Sequence, residues 1–243
     1  MNEQLPDLKQ PRHPAKAVRG ATRDDRVYAH VFEAILEQRL APGTRLSEEG
    51  LGEIFGVSRT VIRRALSRLA HEGVVALRPN RGAIVASPSV AEARQVCLAR
   101  RLVERAVTEL AVEHATEAHL AELRQLVTDE HQCFDRGDRG AGLRLSGEFH
   151  LKLAEAAGNQ PLISFQRSLV SQTSLIIALY ESGERNHCSF NEHTALIDAI
   201  ESRNAEQAVA LMMSHMDHID AKLDFQAKPA PGLQEVFSKV KGL

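Results

Sequence analysis

The stretch that most constrains this chain is Gly56–Val75, GVSRTVIRRALSRLAHEGVV. Counted at helical spacing from Ser58, the apolar residues Ile62, Ala65, Leu66 and Leu69 fall on one face, which has to be buried. The other face carries Arg59, Thr60, Arg63, Arg64, Ser67 and Arg68. Arg59 and Arg63 are four apart and so are neighbours along that face, as are Thr60 and Arg64. Ser58 is a good N-cap, and the residues closest to it are those a groove-inserted helix presents first. Surface helices usually mix charge signs. This one is basic up to Glu72, as expected of a helix that meets phosphates and base edges.

The flanking segments place that helix second in a helix-turn-helix. From Asp25 to Arg39 the set Val27, Val31, Ile35 and Leu36 has helical spacing, and Ala41-Pro42-Gly43 then breaks the chain. Ser47 caps a short helix through Phe55, with Leu51, Ile54 and Phe55 expected to face inward, and Gly56 supplies the turn. After Gly73, two β runs (Val74, Val75, Leu77 and then Ile84, Val85) surround Arg78-Pro79-Asn80-Arg81-Gly82. They predict a hairpin wing with Arg78 and Arg81 near its tip. Beyond the Ser87-Pro88 linker everything to about Phe225 reads as helix, in segments 90–115, 117–136, 138–157, 160–181, 187–202 and 204–226. One stripe, for example, is Leu162, Phe165, Leu169, Ile176 and Leu179. The expected fold is mainly α: an N-terminal winged helix-turn-helix over 22–88, then an antiparallel six-helix bundle over 89–227. Residues 1–21, with Pro6, Pro11 and Pro14 among basic residues, read as a disordered tail that either adds non-specific DNA affinity or is a plain leader. The segment 228–243 is a tail, with a short helix expected over 233–240.

Charge separates the two halves. Through Pro88 there are 14 Lys+Arg against 10 Asp+Glu, and beyond it 16 against 22. A basic front on an acidic body suggests that only the front meets a polyanion. Cys97, Cys133 and Cys188 are far apart and in no CxxC spacing, which fits reduced thiols rather than a disulfide framework. With no secretory h-region before Thr22 and no apolar run of membrane-spanning length, the expected location is the cytoplasm, with no membrane partner.

The residues Leu40-Ala41-Pro42-Gly43-Thr44-Arg45-Leu46, Gly56-Val57-Ser58-Arg59-Thr60, Arg63, Ala65-Leu66, Leu69 and Arg81-Gly82-Ala83 resemble the winged-helix domain of GntR-family transcriptional regulators. The body resembles the all-helical effector domain of that family's FadR-like branch. Its marks are Arg100 four before Glu104, Phe149-His150, Gly158-Asn159, Glu192-His193, and Met212 ahead of His215. The resemblance covers roughly residues 25–226. It implies a homodimer that binds a palindromic double-stranded operator, a repressor whose DNA affinity a small organic acid shifts. Arg45, Ser58, Arg59, Thr60, Arg63, Arg64, Arg81 and Gly82 would form the DNA surface, with Arg59 and Arg63 at base edges and phosphate contacts nearby. Three positions depart from the common pattern: Val61 where proline is usual, Arg64 where glutamate is, and Glu49 where a basic residue is frequent.

His150, His193 and His215 fall on three different helices, and imidazoles projecting into a bundle core can bind Zn²⁺ or Ni²⁺. Family members often add an Asp four residues before the first His; here Ser146 stands there. Three histidines plus water or an effector carboxylate would still serve. Otherwise the three are polar core residues hydrogen-bonded to one another and to Ser146. Arg100 either faces an effector carboxylate or pairs with Glu104, and Tyr180 and Asn191 are further effector-site candidates. Two other readings compete with a ligand-controlled regulator: the metal itself as the signal, and a three-His hydrolytic enzyme. The enzyme reading lacks a carboxylate or Cys at a spacing that marks a general base, and leaves the basic helix unexplained.

Overall fold

The capping chemistry sets the helix starts. Thr22 and Ser89 each close a reciprocal capping box, with Asp25 and Glu92 respectively, and Ser47 accepts from the Gly50 amide. The computed structural model describes residues 22–78, 82–182 and 189–226. Its elements are α1 (Arg23–Leu36), β1 (Arg45–Leu46), α2 (Glu48–Phe55), α3 (Arg59–His71), β2 (Val75–Arg78), β3 (Gly82–Val85), α4 (Val90–His114), α5 (Glu117–Asp135), α6 (Arg139–Ala157), α7 (Gln160–Tyr180), α8 (Ser189–Glu201) and α9 (Ala205–Ala221). The tail helix expected over 233–240 lies outside the described residues.

The N-terminal unit is a winged helix. Strands β2 and β3 pair antiparallel, and the short β1, not foreseen from the sequence, adds to β3, giving the order β1-β3-β2. Gly82 makes that third strand possible. It has φ +80°, and a Cβ there would lie 2.3 Å from the Leu46 carbonyl oxygen, so no side chain fits. The core joins Val27, Val31, Ile35, Ile62, Leu66 and Leu69 to Val75 and Val85, as the stripes on α1 and α3 require. On α2 the inward set is smaller than expected. Leu51 and Phe55 pack partly, whereas Ile54 is 76% exposed.

Helices α4–α9 form the bundle. Its core runs from Val107 and Ala111 through Leu123, Phe149 and Leu153 to Ile197, Ile200 and Met212. The stripe expected on α7 is rotated: Phe165 is 58% exposed, while Gln166, Val170, Thr173 and Ile176 are buried. The rotation has a cause, because α7 serves two neighbours. It packs on α4 and α6 and also on α1 of the winged helix, where Leu175 enters the winged-helix core and Ser168 donates to the Glu72 carbonyl. The same double burden corrects the hydropathy reading. By length and composition α7 does reach the threshold of a membrane span, with mean hydropathy 1.2. Its buried Ser171 and Thr173 hydroxyls donate to the Arg167 and Leu169 carbonyls of the same helix, and its buried Gln166 lies beside Glu104.

Candidate metal centre and nucleic-acid interface

Three helices bring the histidines together. His150 on α6, His193 on α8 and His215 on α9 are all buried, and their ligand nitrogens lie within 4.8 Å of one another. A carboxylate from a different part of the bundle faces the Nδ1 of each ring. His215 Nδ1 meets Glu192 at 2.6 Å and His193 Nδ1 meets Glu130 at 3.1 Å. His150 Nδ1 is 2.8 Å from Glu104, though without hydrogen-bond alignment. When Nδ1–H is held by a carboxylate, the lone pair is left on Nε2 and the ring orientation is set.

The Nε2 atoms therefore face inward. His150 Nε2 and His215 Nε2 are 3.3 Å apart, and His193 Nε2 is buried with no hydrogen-bond partner. Neutral rings oriented this way would point lone pairs at one another. For Zn–N bonds of ~2.0–2.1 Å, the edge of a tetrahedron is about 3.3 Å. Burial lowers the His150 pKa to about 4 and that of His215 to about 3, so both are neutral near pH 7. The donor set thus fits a divalent ion. It also admits a neutral His–His contact in which one Nε2 carries the proton.

Arg100 is 5% exposed and donates from Nε to Glu104 at 3.2 Å, the buried pair that the four-residue spacing allowed. Its terminal guanidinium nitrogens make no hydrogen bond among the described residues. Burial opposes charge on Glu104, but His150 and the Arg100 guanidinium keep it ionised. Gln166 lies beside Glu104, fully buried, with neither amide atom in a well-aligned hydrogen bond.

A cavity of about 80 Å³ abuts the centre, lined by Ser146, Glu192, His215, His218 and Glu181 against Phe134 and Ile219. Ser146 thus stands beside the histidines. His218, more than half exposed, shares Glu192 with His215. Tyr180 and Asn191 are not brought to this cavity. The Tyr180 hydroxyl donates to the Pro88 carbonyl at 2.8 Å and its ring packs on Phe225, tying the helix end to the interdomain linker. Asn191 is exposed. Glu130 and Gln166 went unnoticed in the sequence, although a signal existed. Each interrupts an apolar stripe, Glu130 at three beyond Val127 and Gln166 at four before Val170.

On the winged helix, Arg59, Thr60, Arg63 and Arg64 are exposed on α3, and Arg45 is exposed on β1. Ser58 takes the N-cap position, but its side chain makes no capping hydrogen bond. Arg59 and Arg63 are not bare cations: Arg59 pairs with Glu49 at 3.3 Å and Arg63 with Glu48 at 2.8 Å. Gly82 is buried between strands, where a Cβ would meet the Leu46 carbonyl oxygen, so packing by itself requires glycine there. Arg81 lies outside the described residues.

Comparison with known proteins agrees with this layout. The model of the bacterial regulatory proteins of the gntR family matches residues 23–85, and that of the FCD domain matches residues 95–218. The chain is similar to the HTH-type transcriptional repressor RspR of Escherichia coli, 25% identical over 197 residues, covering 81% of this chain and 86% of RspR. It is 28% identical over 203 residues to the HTH-type transcriptional regulator LutR of Bacillus subtilis, covering 74% and 92% of the two chains. Among solved structures it resembles E. coli McbR/YncC in fold, with TM-score 0.73 at 21% identity over 83% of this chain and 96% of that one. With both domain models matched in this order, the chain belongs to the GntR family of bacterial transcriptional regulators, in the group whose DNA-binding domain is joined to an FCD domain.

Proposed function

We propose that this protein is a homodimeric repressor that binds a palindromic operator and is controlled by a small organic acid in the helical domain. The observation that carries the ligand half is the inward convergence of three histidine Nε2 atoms, each ring backed by a carboxylate, beside a cavity. His150, His193 and His215 would hold Zn²⁺ or Ni²⁺, which when bound supplies a Lewis-acidic position for a carboxylate. Ser is a poor ligand where an Asp would complete the set, which leaves room for water or the acid itself. Arg100, with its terminal nitrogens unengaged, is placed to pair with a second carboxylate oxygen or group. Two relatives, RspR and NanR, carry "repressor" in their names, which supports repression as the direction of control.

On the DNA side, Arg45, Ser58, Arg59, Thr60, Arg63, Arg64 and Arg81 would form the contact surface, with Arg59 and Arg63 reading bases and Arg64 altering the operator preference. The experiment that tests both halves is metal analysis of tag-free protein purified without chelator, followed by operator release on titrating small carboxylates. Under a tenth of an equivalent of metal, with no change in melting temperature on adding Zn²⁺ or Ni²⁺, would sink the metal centre. Release of DNA by the ion alone would favour a metal sensor. Turnover of a carboxylate would instead revive an enzyme.

A further inference from the structure

Two ion pairs sit on the face of α3 turned to DNA, and they differ in construction. Arg63 Nε lies 2.8 Å from both oxygens of Glu48. The carboxylate is the protein-side member, 19% exposed, and the guanidinium the outer one, 64% exposed. Arg59 and Glu49 are 3.3 Å apart and both largely exposed, at 66% and 71%. Glu48 and Glu49 open α2, whose first-turn amides favour acidic side chains. Both therefore sit favourably at the helix start, but Glu48 is sheltered at 19% exposure whereas Glu49 hangs in solvent at 71%.

The geometry points to Glu48 as a positioning residue for base readout, which rests on the reading of α3 as the recognition helix. A guanidinium reads guanine end-on, through two parallel N–H groups to O6 and N7. Glu48 engages Nε alone, and the two Nη groups of Arg63 make no hydrogen bond among the described residues. The carboxylate thus aims the fork outward and limits its rotamers before DNA arrives, so less side-chain freedom is lost on contact. It also sets a negative charge close to where phosphates must lie, which weakens binding to DNA of any sequence. Glu48 accordingly exchanges general affinity for discrimination. Glu49, too exposed to fix its partner, lowers general affinity only.

The full-length protein first selects sequences from a random duplex pool. Binding is then measured to the enriched duplex, to single base-pair variants of it, and to a scrambled duplex. Glu48→Gln should raise affinity for the scrambled duplex while its preference at one G·C pair per half-site falls roughly tenfold. Glu49→Gln should raise scrambled-duplex affinity and keep the preference within about twofold. Arg63→Lys keeps the charge and loses the fork, so it should lose preference at the same pair, and the double variant Glu48→Gln/Arg63→Lys should lose no more than Arg63→Lys alone. The proposal is overturned if Glu48→Gln keeps the wild-type preference, if Glu49→Gln flattens it equally, or if the two losses add. Failure of the wild-type protein to enrich any sequence removes the recognition-helix reading itself, and Glu48's role with it.

Discussion

Replacing Glu192 by Ala isolates the question of what orients the proposed metal centre. Glu192 accepts from His215 Nδ1 at 2.6 Å and shares its other oxygen with His218, and its side chain is 21% exposed, so truncation leaves no large hole. Removing a carboxylate that orients a ligating imidazole typically costs ~10–100-fold in metal affinity. At a free metal concentration ~100 times the wild-type Kd, binding stabilises the fold by about 2.7 kcal/mol. A variant bound ~100-fold more weakly is then near its own Kd and gains only about 0.4 kcal/mol. For a chain of this size each kcal/mol moves Tm by roughly 2–4 °C. The expected metal-induced rise is therefore about 5–11 °C for wild type, and for Glu192→Ala from about 3–6 °C at a ~10-fold loss down to less than about 2 °C at a ~100-fold loss. The lost hydrogen bond lowers the metal-free baseline by ~1 kcal/mol, but the readout is the rise and not the baseline. Differential scanning fluorimetry with and without Zn²⁺, backed by competition titration against a chelating dye, makes the measurement. An unchanged rise in Glu192→Ala would refute the orienting role. A wild-type protein with no rise would refute the centre.

Three further perturbations test other parts of the structure. Arg63→Ala should cost ~1–3 kcal/mol of operator affinity while binding to unrelated duplex changes far less, read by fluorescence anisotropy at fixed salt. Gly82→Ala meets the Leu46 carbonyl oxygen at 2.3 Å in a backbone with φ +80°; it should lower the unfolding free energy, read from urea denaturation, by more than the ~1–2 kcal/mol of the left-handed conformation alone, and an unchanged midpoint would show that β1 does not pack against β3 as described. Burial, reinforced by Asp220, raises the Cys97 thiol to about 11, so the reactive thiolate is scarce below that pH. Peptide mapping after iodoacetamide treatment at pH 8 should find Cys97 labelled slowly in the folded protein and quickly in urea, the folded rate climbing only as pH nears 11; fast labelling at pH 8 would contradict the burial.

The parts of this molecule that could be read directly were those in which one helix answers to one environment. Ile62, Ala65, Leu66 and Leu69 on α3 are all buried as their spacing requires, and the arginine face is all exposed. Where an element answers to two neighbours, spacing misleads. On α7 the longest apolar stripe includes the exposed Phe165, because one face meets the bundle and another meets α1. The histidines were visible as residues, but Glu104, Glu130 and Glu192 as their supports were not. Those partners come from 46, 63 and 23 residues away along the chain, and only packing decides which acid meets which ring. Tyr180 shows the same limit: at the end of a helix, its direction was settled by Pro88 and Phe225, neither of them close to it in sequence.

Leu175 belongs to the second half of the chain but is sealed, at 1% exposed, within the first unit's interior. A fragment ending at the linker would therefore be born with a leucine-sized notch in its core. Truncation is then a poor way to obtain the DNA-binding part alone, since losing a buried leucine costs ~2–5 kcal/mol and could be mistaken for weak intrinsic affinity for the operator. The same plug joins the two lobes through shared buried surface, so domain dissection of this regulator is better done by point substitution than by scissors.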